Sequence, residues 1–215
     1  MLPVTKIYRA AILFSCCAAL YCCTQKNRAT TTNIIPDTIS AAAKNPYVVY
    51  DQSPMDMSYF PVDFPLQKMN KADTGELVVR LMYSRPHKKN RSIFGNTEKS
   101  LCQYGKEWRL GANEATEIEF FKNVSIEGHN LPKGSYVLYC IPFPDKWTIV
   151  FNSNLHTWGL HMDSSKDIFR VDIPVMDQSP AIEDFTMVFQ PAAYGANLVM
   201  AWDNTKAELP IGFAK

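Results

Sequence analysis

Residues 116–121, Thr-Glu-Ile-Glu-Phe-Phe, alternate polar and apolar side chains, and this pattern decides the fold class. Successive side chains of a β-strand point to opposite faces, so Ile118 and Phe120 are predicted to share a buried face. Glu117 and Glu119 then lie on the opposite face. The same period of two recurs in the apolar triplets Trp147, Ile149 and Phe151; Phe169, Val171 and Ile173; Phe185, Met187 and Phe189; and Leu198, Met200 and Trp202.

This recurrence predicts an all-β protein, with a single antiparallel β-sandwich or a flattened barrel of about eight or nine short strands. The domain is expected to cover residues 73–215. Strands at Val124–Ile126 and Ser135–Ile141 are predicted to pair as a hairpin with a long turn over 127–134. A last edge strand is predicted at 209–213.

Residues 1–22 are typical of a lipoprotein signal peptide. Lys6 and Arg9 form a short positive region, and the uncharged run that follows is too short to span a bilayer core of ~30 Å. It ends in Leu20-Tyr21-Cys22-Cys23, with a branched apolar residue three positions before Cys23 and a small residue directly before it. We expect cleavage before Cys23 and lipidation of its thiol. An ordinary secretory signal rich in cysteine is the alternative.

Residues 23–45 are predicted to be a flexible tether, because this Thr-, Asn- and Ala-rich stretch has too little apolar surface to offset its ordering entropy. Residues 46–72 are rich in aromatic residues and proline, and we expect an ordered but irregular extension packed on the domain. Lipidation and Thr24 predict an outer-membrane lipoprotein. The absence of an acidic tag at 26–28 favours a domain that faces the periplasm, with surface exposure as the alternative.

The full chain has 22 basic and 21 acidic side chains, and removal of the signal peptide leaves 20 basic ones. This balance offers no electrostatic footprint for nucleic acid. Only Cys102 and Cys140 remain beyond the anchor, either as buried thiols or, in an oxidising envelope, as a disulfide. The spacing of His156 and His161 matches no standard metal site, so we predict no metal and no cofactor.

One connection between predicted strands has a different composition. Residues 104–116, Tyr-Gly-Lys-Glu-Trp-Arg-Leu-Gly-Ala-Asn-Glu-Ala-Thr, combine glycines, aromatic rings, cations and carboxylates. Upstream, in residues 83–86, Pro86 favours an extended conformation of Arg85 at a strand end. A structural interpretation makes Arg85, Arg109 and Glu114 a buried ion pair or triad, from which removal of one partner costs ~3–5 kcal/mol.

A functional interpretation makes the two arginines a fork for a carboxylate, a phosphate or an acidic sugar. Trp108 or Tyr104 would then be a stacking platform, and Trp158 is a second candidate surface aromatic. Glu114 is a weak candidate for a general acid or base, because neighbouring arginines lower the pKa of a carboxyl group. The predicted ligand-binding residues are Arg85, Tyr104, Trp108, Arg109, Asn113 and Glu114.

Several short motifs recur together in one known family. They are Tyr83-Ser84-Arg85-Pro86, Ile93-Phe94-Gly95, Tyr104-Gly105, Trp108-Arg109, Gly111–Thr116, Trp147 and Trp158-Gly159. Through these motifs the chain resembles, over about Ser53–Phe213, a bacterial envelope family known only as a domain of unknown function. The resemblance implies a secreted or lipid-anchored β-rich protein and gives no reaction. This sequence has Asn90-Arg91 where the family usually has Gly-Arg, and Leu110 where Thr is usual.

The sequence therefore favours binding over catalysis. We expect a lipid-anchored module that binds a partner protein or an envelope glycan through a face formed by Arg85 and 108–114. A hydrolase acting on cell-wall or glycan material is one alternative. An accessory subunit of an outer-membrane assembly, with no small ligand, is another.

Overall fold

The computed structural model describes residues 47, 49–71 and 75–213. The chain divides into one unit over Met1–Val48 and another over Val49–Lys215, and every described helix and strand belongs to the second. The predicted signal peptide, Cys23 and the predicted tether over 23–45 lie outside the described residues. Within the described ranges, no helix is both long enough and apolar enough to cross a membrane.

The second unit consists mainly of β-strands, with one short α-helix, α1, and one 3-10 helix, η1. The elements are β1 (Met55–Phe60), α1 (Phe64–Met69), β2 (Val79–Ser84), β3 (Phe94–Gly95), β4 (Cys102–Gln103), β5 (Thr116–Phe120), β6 (Val124–Ile126), β7 (His129–Leu131), β8 (Gly134–Pro142), β9 (Lys146–Asn152), η1 (Ser164–Lys166), β10 (Asp167–Ala192) and β11 (Gly195–Phe213).

Nine strands form one antiparallel sheet in the order β1-β2-β5-β8-β9-β10-β11-β6-β7, and β3 pairs with β4 in parallel. The first part of β10 pairs with β9, and its later part, from Val175 onward, pairs with β11. The two parts of β10 therefore belong to two layers, which together enclose the core. The predicted all-β sandwich is confirmed, and the sheet does not close into a barrel, because β1 and β7 are its two edges.

The core is made of alternate residues from both layers. Ile118 and Phe120 of β5 are buried, as the alternation in 116–121 predicts, and they belong to one cluster with residues of β10 and β11. Glu117 and Glu119 lie on the other face, where each has a polar partner. Fully burying a large apolar side chain contributes about 1.5–3 kcal/mol, so this shared cluster holds the two layers together.

The hairpin predicted between Val124–Ile126 and Ser135–Ile141 is wrong. β6 instead pairs with β7 across a two-residue turn at Glu127 and Gly128, whose φ angles are 46° and 81°. Two residues with positive φ form a tight turn whose twist suits a β-hairpin. The prediction missed this turn because the asparagine and glycine residues of 127–134 were interpreted as one long turn. β8 pairs with β5 and β9.

The extension predicted to be irregular over 46–72 contains regular structure. β1 pairs with β2 along its whole length, and α1 follows it. The prediction failed because the apolar residues Met55 and Met57 are exposed, whereas the polar residues Asp56 and Ser58 face inward. The inward hydroxyl of Ser58 donates a hydrogen bond to the carbonyl of Met187, so polar contacts hold this edge strand.

The late strands are longer than the sequence predicts. The runs at 169–173 and 185–189 are parts of β10, which continues through register shifts between Asp177 and Thr186. Such irregularities let a strand bend without ending, so one strand can serve two layers. The edge strand predicted at 209–213 is the end of β11, which lies between β10 and β6 and is not an edge.

Candidate functional site

The segment after β2 is held against the later part of β10. The amide of Phe185 donates a hydrogen bond of 3.0 Å to the carbonyl of Pro86, and the amide of Lys88 donates one of 2.7 Å to the carbonyl of Glu183. The ammonium group of Lys88 also forms an ion pair with Asp203. This short stretch of pairing fixes the point at which the chain turns.

A tight turn over residues 88–91 follows. Lys89 and Asn90 both have positive φ, at 48° and 58°, and the amide of Arg91 closes the turn with a hydrogen bond of 3.0 Å to the carbonyl of Lys88. The guanidinium of Arg91 folds back on the turn, where Nε donates to the carbonyl of Lys88 at 3.0 Å and Nη2 donates to that of His87. Backbone carbonyls therefore orient Arg91.

Arg109 lies on a second connection, between β4 and β5. Its Nη1 donates a hydrogen bond of 3.1 Å to the carbonyl of Trp158, and its guanidinium carbon lies 5.8 Å from the centre of the Trp158 ring. Burial lowers the pKa of the Arg109 guanidinium, and the nearby Glu114 carboxylate opposes that shift. Trp158 is 53% exposed, which confirms the predicted surface aromatic at this position.

Gly159 allows this close approach. Its φ is 76°, and a Cβ atom there would lie 2.9 Å from Cβ of Ala115 and 3.1 Å from Cβ of Arg109. Any side chain at this position would push the loop away from Arg109. Gly159 therefore lets the loop that carries Trp158 pack against the Arg109 side chain.

Trp108 is part of the core, so its prediction as a surface stacking platform is wrong. Its side chain is 8% exposed, and its ring stacks on Trp202 and contacts Phe185 with centroids 4.8 Å apart. Its backbone forms a reciprocal bridge with Cys140, and Nε1 donates to the carbonyl of Gly111 at 3.2 Å. The two neighbours in sequence thus face different environments, Trp108 the core and Arg109 the surface.

A surface cavity of about 370 Å³, here called the main cavity, lies between these two connections. Among the described residues, the charged ones that line it are Arg91, Arg109 and Glu107. The exposed side chains of Leu101 and Leu160 add apolar surface to its wall. The main cavity therefore combines two arginines with an apolar wall.

A second cavity of about 260 Å³, here called the side cavity, shares Ser53 and Arg91 with the main cavity. Its other lining residues are Gln52, His87 and Lys89. The Nδ2 atom of Asn113 donates a hydrogen bond of 3.3 Å to the carbonyl of Ser53. Asn113 thus positions the segment that the two cavities share.

The two cavities are lined by Lys89, Arg91 and Arg109. These cations differ from the nearby Arg85 and Lys88 in the partners of their charged groups. Arg85 pairs with Asp56 at 3.1 Å, and Lys88 pairs with Asp203. Among the described residues, no carboxylate lies within 4.0 Å of the charged nitrogens of Lys89, Arg91 or Arg109. Their positive charge is therefore available to a ligand.

The triad predicted from Arg85, Arg109 and Glu114 does not form, because the strand that carries Asp56 supplies the partner of Arg85. Glu114 is exposed and lines a different cavity, of about 310 Å³, with Glu117 and His156. There the amide of His156 donates a hydrogen bond of 2.8 Å to Oε1 of Glu117. We call this third space the acidic cavity.

Of the six residues predicted to bind a ligand, the structure brings Trp108 and Arg109 to the main cavity, and Asn113 supports its margin. The other three lie elsewhere: Arg85 at the β1 edge, Tyr104 half-buried after β4, and Glu114 at the acidic cavity. Sequence reasoning missed Lys89 and Arg91. The signal that identifies them is the charged run Lys88-Lys89-Asn90-Arg91 between two strands.

Cys102 and Cys140 are both buried free thiols, not a disulfide, and burial raises the pKa of each. In the part of the chain that the structure describes, no group of three or more His, Cys, Asp or Glu side chains is arranged to hold a metal ion.

The fold and site define a β-sandwich with a cation-lined surface cavity. The chain belongs to a family described as protein of unknown function, DUF2911, whose model matches residues 65–211. This confirms the predicted membership in a family of unknown function, and the match includes every residue of the main cavity except Ser53. Comparisons with curated proteins and with solved structures give no significant match.

Proposed function

We propose that this protein is an envelope lipoprotein, anchored through Cys23, whose β-sandwich binds an acidic sugar in the main cavity. The observation that carries the proposal is the pair Arg91 and Arg109. Both residues line one cavity, and neither guanidinium group has a carboxylate partner within 4.0 Å among the described residues.

A guanidinium group presents a planar set of N–H donors that matches the oxygens of a carboxylate or a phosphate. Arg91 is already fixed by two hydrogen bonds to backbone carbonyls, and Arg109 by one together with its contact to Trp158. Because these side chains are partly ordered before binding, less conformational entropy is lost when a ligand arrives.

The apolar part of the wall favours a sugar over a free inorganic anion. Leu160 is 65% exposed, and Leu101 is also exposed beside it. The C–H face of a sugar ring can cover these side chains while its acidic group reaches the arginines. The volume of about 370 Å³ falls at the small end of the ~300–1,000 Å³ range of ligand pockets, which suits a ligand of one ring.

The predicted anchor supports an envelope ligand. As a flexible coil, the predicted tether of about 22 residues would hold the domain ~25 Å from the lipid surface on average. Acidic sugars of cell-wall or surface glycans lie within that reach. Binding without chemistry is consistent with the main cavity, which Glu107 alone of the described carboxylates lines.

Calorimetric titration of the full-length protein in detergent tests the proposal with matched sugars. N-acetylmuramic acid and glucuronic acid carry a carboxylate, whereas N-acetylglucosamine and glucose are their neutral counterparts. We expect binding of the acidic sugars only. Arg109→Gln should weaken it by about tenfold or more, since a charge-assisted hydrogen bond contributes ~1.5–3 kcal/mol.

Lys133→Gln is the matched control, because it removes one positive charge from an exposed residue that lines neither cavity. Its affinity should equal that of the unchanged protein. Equal affinity for acidic and neutral sugars, or an Arg109→Gln protein that binds normally, would contradict the proposal.

The acidic cavity favours a second candidate function, hydrolysis of a glycan. Glycosidases use two carboxyl groups, and Glu114 and Glu117 line one cavity together with His156. The test is release of reducing sugars from purified envelope glycan by the full-length protein. Release that is lost in Glu114→Gln with an unchanged melting temperature would support a hydrolase, and no release by the unchanged protein would exclude this candidate for that substrate.

A further inference from the structure

We infer that the ligand is an oligomer of acidic sugars that runs from the main cavity into the side cavity and places an acidic group in each. This inference rests on the proposed function, because it extends the same site. It assigns Lys89 and Gln52 to ligand binding and gives Arg91 a central position between two acidic groups.

The first argument is the continuity of the two cavities. Ser53 and Arg91 line both, so the two cavities adjoin at these residues, and a chain that occupies the main cavity beside Arg91 has the side cavity next to it. Arg109 lines only the main cavity, and Lys89 lines only the side cavity. The cations are therefore distributed along a path, with Arg91 in the middle.

The second argument is that the ammonium group of Lys89 has a neutral partner. Its ammonium group contacts the neutral side-chain oxygen of Gln52 at 3.1 Å and has no carboxylate within 4.0 Å among the described residues. Its neighbour Lys88 is neutralised by Asp203, and His87 contacts Asp184. A ligand with a single acidic group in the main cavity would leave the charge of Lys89 unmatched. A second acidic group in the side cavity would match it.

The third argument is that the shared wall is built before any ligand binds. The ion pair of Lys88 with Asp203 is partly buried and secures one side of the turn, whereas Asn113 secures Ser53 on the other. Two linked acidic groups would therefore meet cations at fixed positions. The second contact then forms at a high effective concentration, which raises affinity without a larger cavity.

The probes are galacturonic acid and its trimer, titrated into the full-length protein. The trimer should bind more than about tenfold tighter than the monomer, beyond the roughly threefold gain that three equivalent rings give by statistics alone. Lys89→Gln should cut the affinity for the trimer by about fivefold and leave the affinity for the monomer unchanged, since an exposed ion pair contributes up to ~1 kcal/mol.

Two further ligands test whether the acidic groups and the sugar rings are both needed for binding. The fully methyl-esterified trimer has the same rings without charge and should not bind detectably. Triglutamate has a comparable charge without rings and should bind more weakly than the acidic trimer. Equal affinity for triglutamate would overturn the assignment of a glycan in favour of an acidic peptide.

The failure of this inference is distinguishable from failure of the proposed function. If the monomer binds and Arg109→Gln abolishes that binding, but the trimer gains no more than about threefold, only the extension into the side cavity is wrong. The same holds if Lys89→Gln and the control Lys133→Gln bind the trimer equally. If neither monomer nor trimer binds, both proposals fall.

Discussion

Two groups of charged residues in this domain differ in how their charges are matched. In the first, here called the Asp167 network, the carboxylate of Asp167 accepts hydrogen bonds from Tyr139 at 2.9 Å, from Asn152 at 2.8 Å and from Arg170. In the second, Arg91 and Arg109 line the main cavity, and among the described residues no carboxylate lies within 4.0 Å of the guanidinium nitrogens of either. We interpret the matched group as structural and the unmatched group as a binding site.

The pKa of Asp167 reflects this matching. Burial alone would raise the pKa of its carboxyl group, but the hydrogen bonds from Asn152, Arg170 and Tyr139 outweigh burial and lower it. Burial and the same carboxylate raise the pKa of Tyr139. The folded protein therefore favours the charged form of Asp167 and the neutral form of Tyr139, which couples this network to stability.

The largest expected effect is at Trp108, which separates the main cavity from the core. Trp108→Ala should lower the free energy of unfolding by about 4 kcal/mol, because it removes a large buried ring that packs on Phe185 and Trp202. Urea denaturation measures the loss. Trp108→Phe, which keeps a ring and loses the hydrogen bond to Gly111, should cost about half as much. A loss below about 1 kcal/mol for Trp108→Ala would show that this residue belongs to the surface site.

Asp167→Asn should have the next largest effect, a loss of about 2 kcal/mol at neutral pH, because three donors lose a charged acceptor. A carboxyl group whose pKa is lowered by folding stabilises the protein above its unfolded pKa of ~3.9, and this contribution is lost as the pH falls through the folded value. The difference between the two proteins should therefore shrink in acid.

Denaturation midpoints from pH 7 downward measure this trend. Asp177→Asn, an exposed carboxylate on the same strand, is the control and should leave the curve unchanged. A difference for Asp167→Asn that is constant with pH would refute the stated role of its charge.

The smallest expected effect is at Asn90, in the turn that orients Arg91. The φ of Asn90 is 58°, a conformation that glycine adopts without strain. Asn90→Gly should change stability by less than about 0.5 kcal/mol and leave acidic-sugar affinity unchanged. Asn90→Val should cost about 1–2 kcal/mol and weaken binding. Equal melting curves for the two variants would show that the turn does not depend on this conformation.

The core strands were predictable because one face of each is buried. Alternation identified β5 and β9, since Ile118 and Trp147 are buried and their neighbours in sequence are more exposed. β1 escaped detection because its polar side chains face inward and Met57 is exposed. The course of β10 through two layers depends on irregularities in its pairing, and no local pattern of polarity reports these.

The site was only partly predictable for a similar reason. Arg109 and Trp108 were recognised as unusual, but which of them faces the surface depends on the bridge between Trp108 and Cys140, which are distant in sequence. Arg85 appeared equivalent to Arg109 until the partner of each was known. Asp56 neutralises Arg85, whereas Arg109 donates a hydrogen bond to the backbone carbonyl of Trp158. Partners that come from other strands cannot be identified from the spacing of residues.

The most direct test of the central claim measures affinity and stability in two variants of the same preparation. Arg109→Gln should lose about tenfold or more in affinity for glucuronic acid and less than about 1 kcal/mol of stability. Asp167→Asn should do the reverse, with its affinity unchanged and its unfolding free energy lower by about 2 kcal/mol. If both variants lost affinity and stability together, or if Arg109→Gln bound the sugar normally, the division into a structural and a binding group of charges would be wrong.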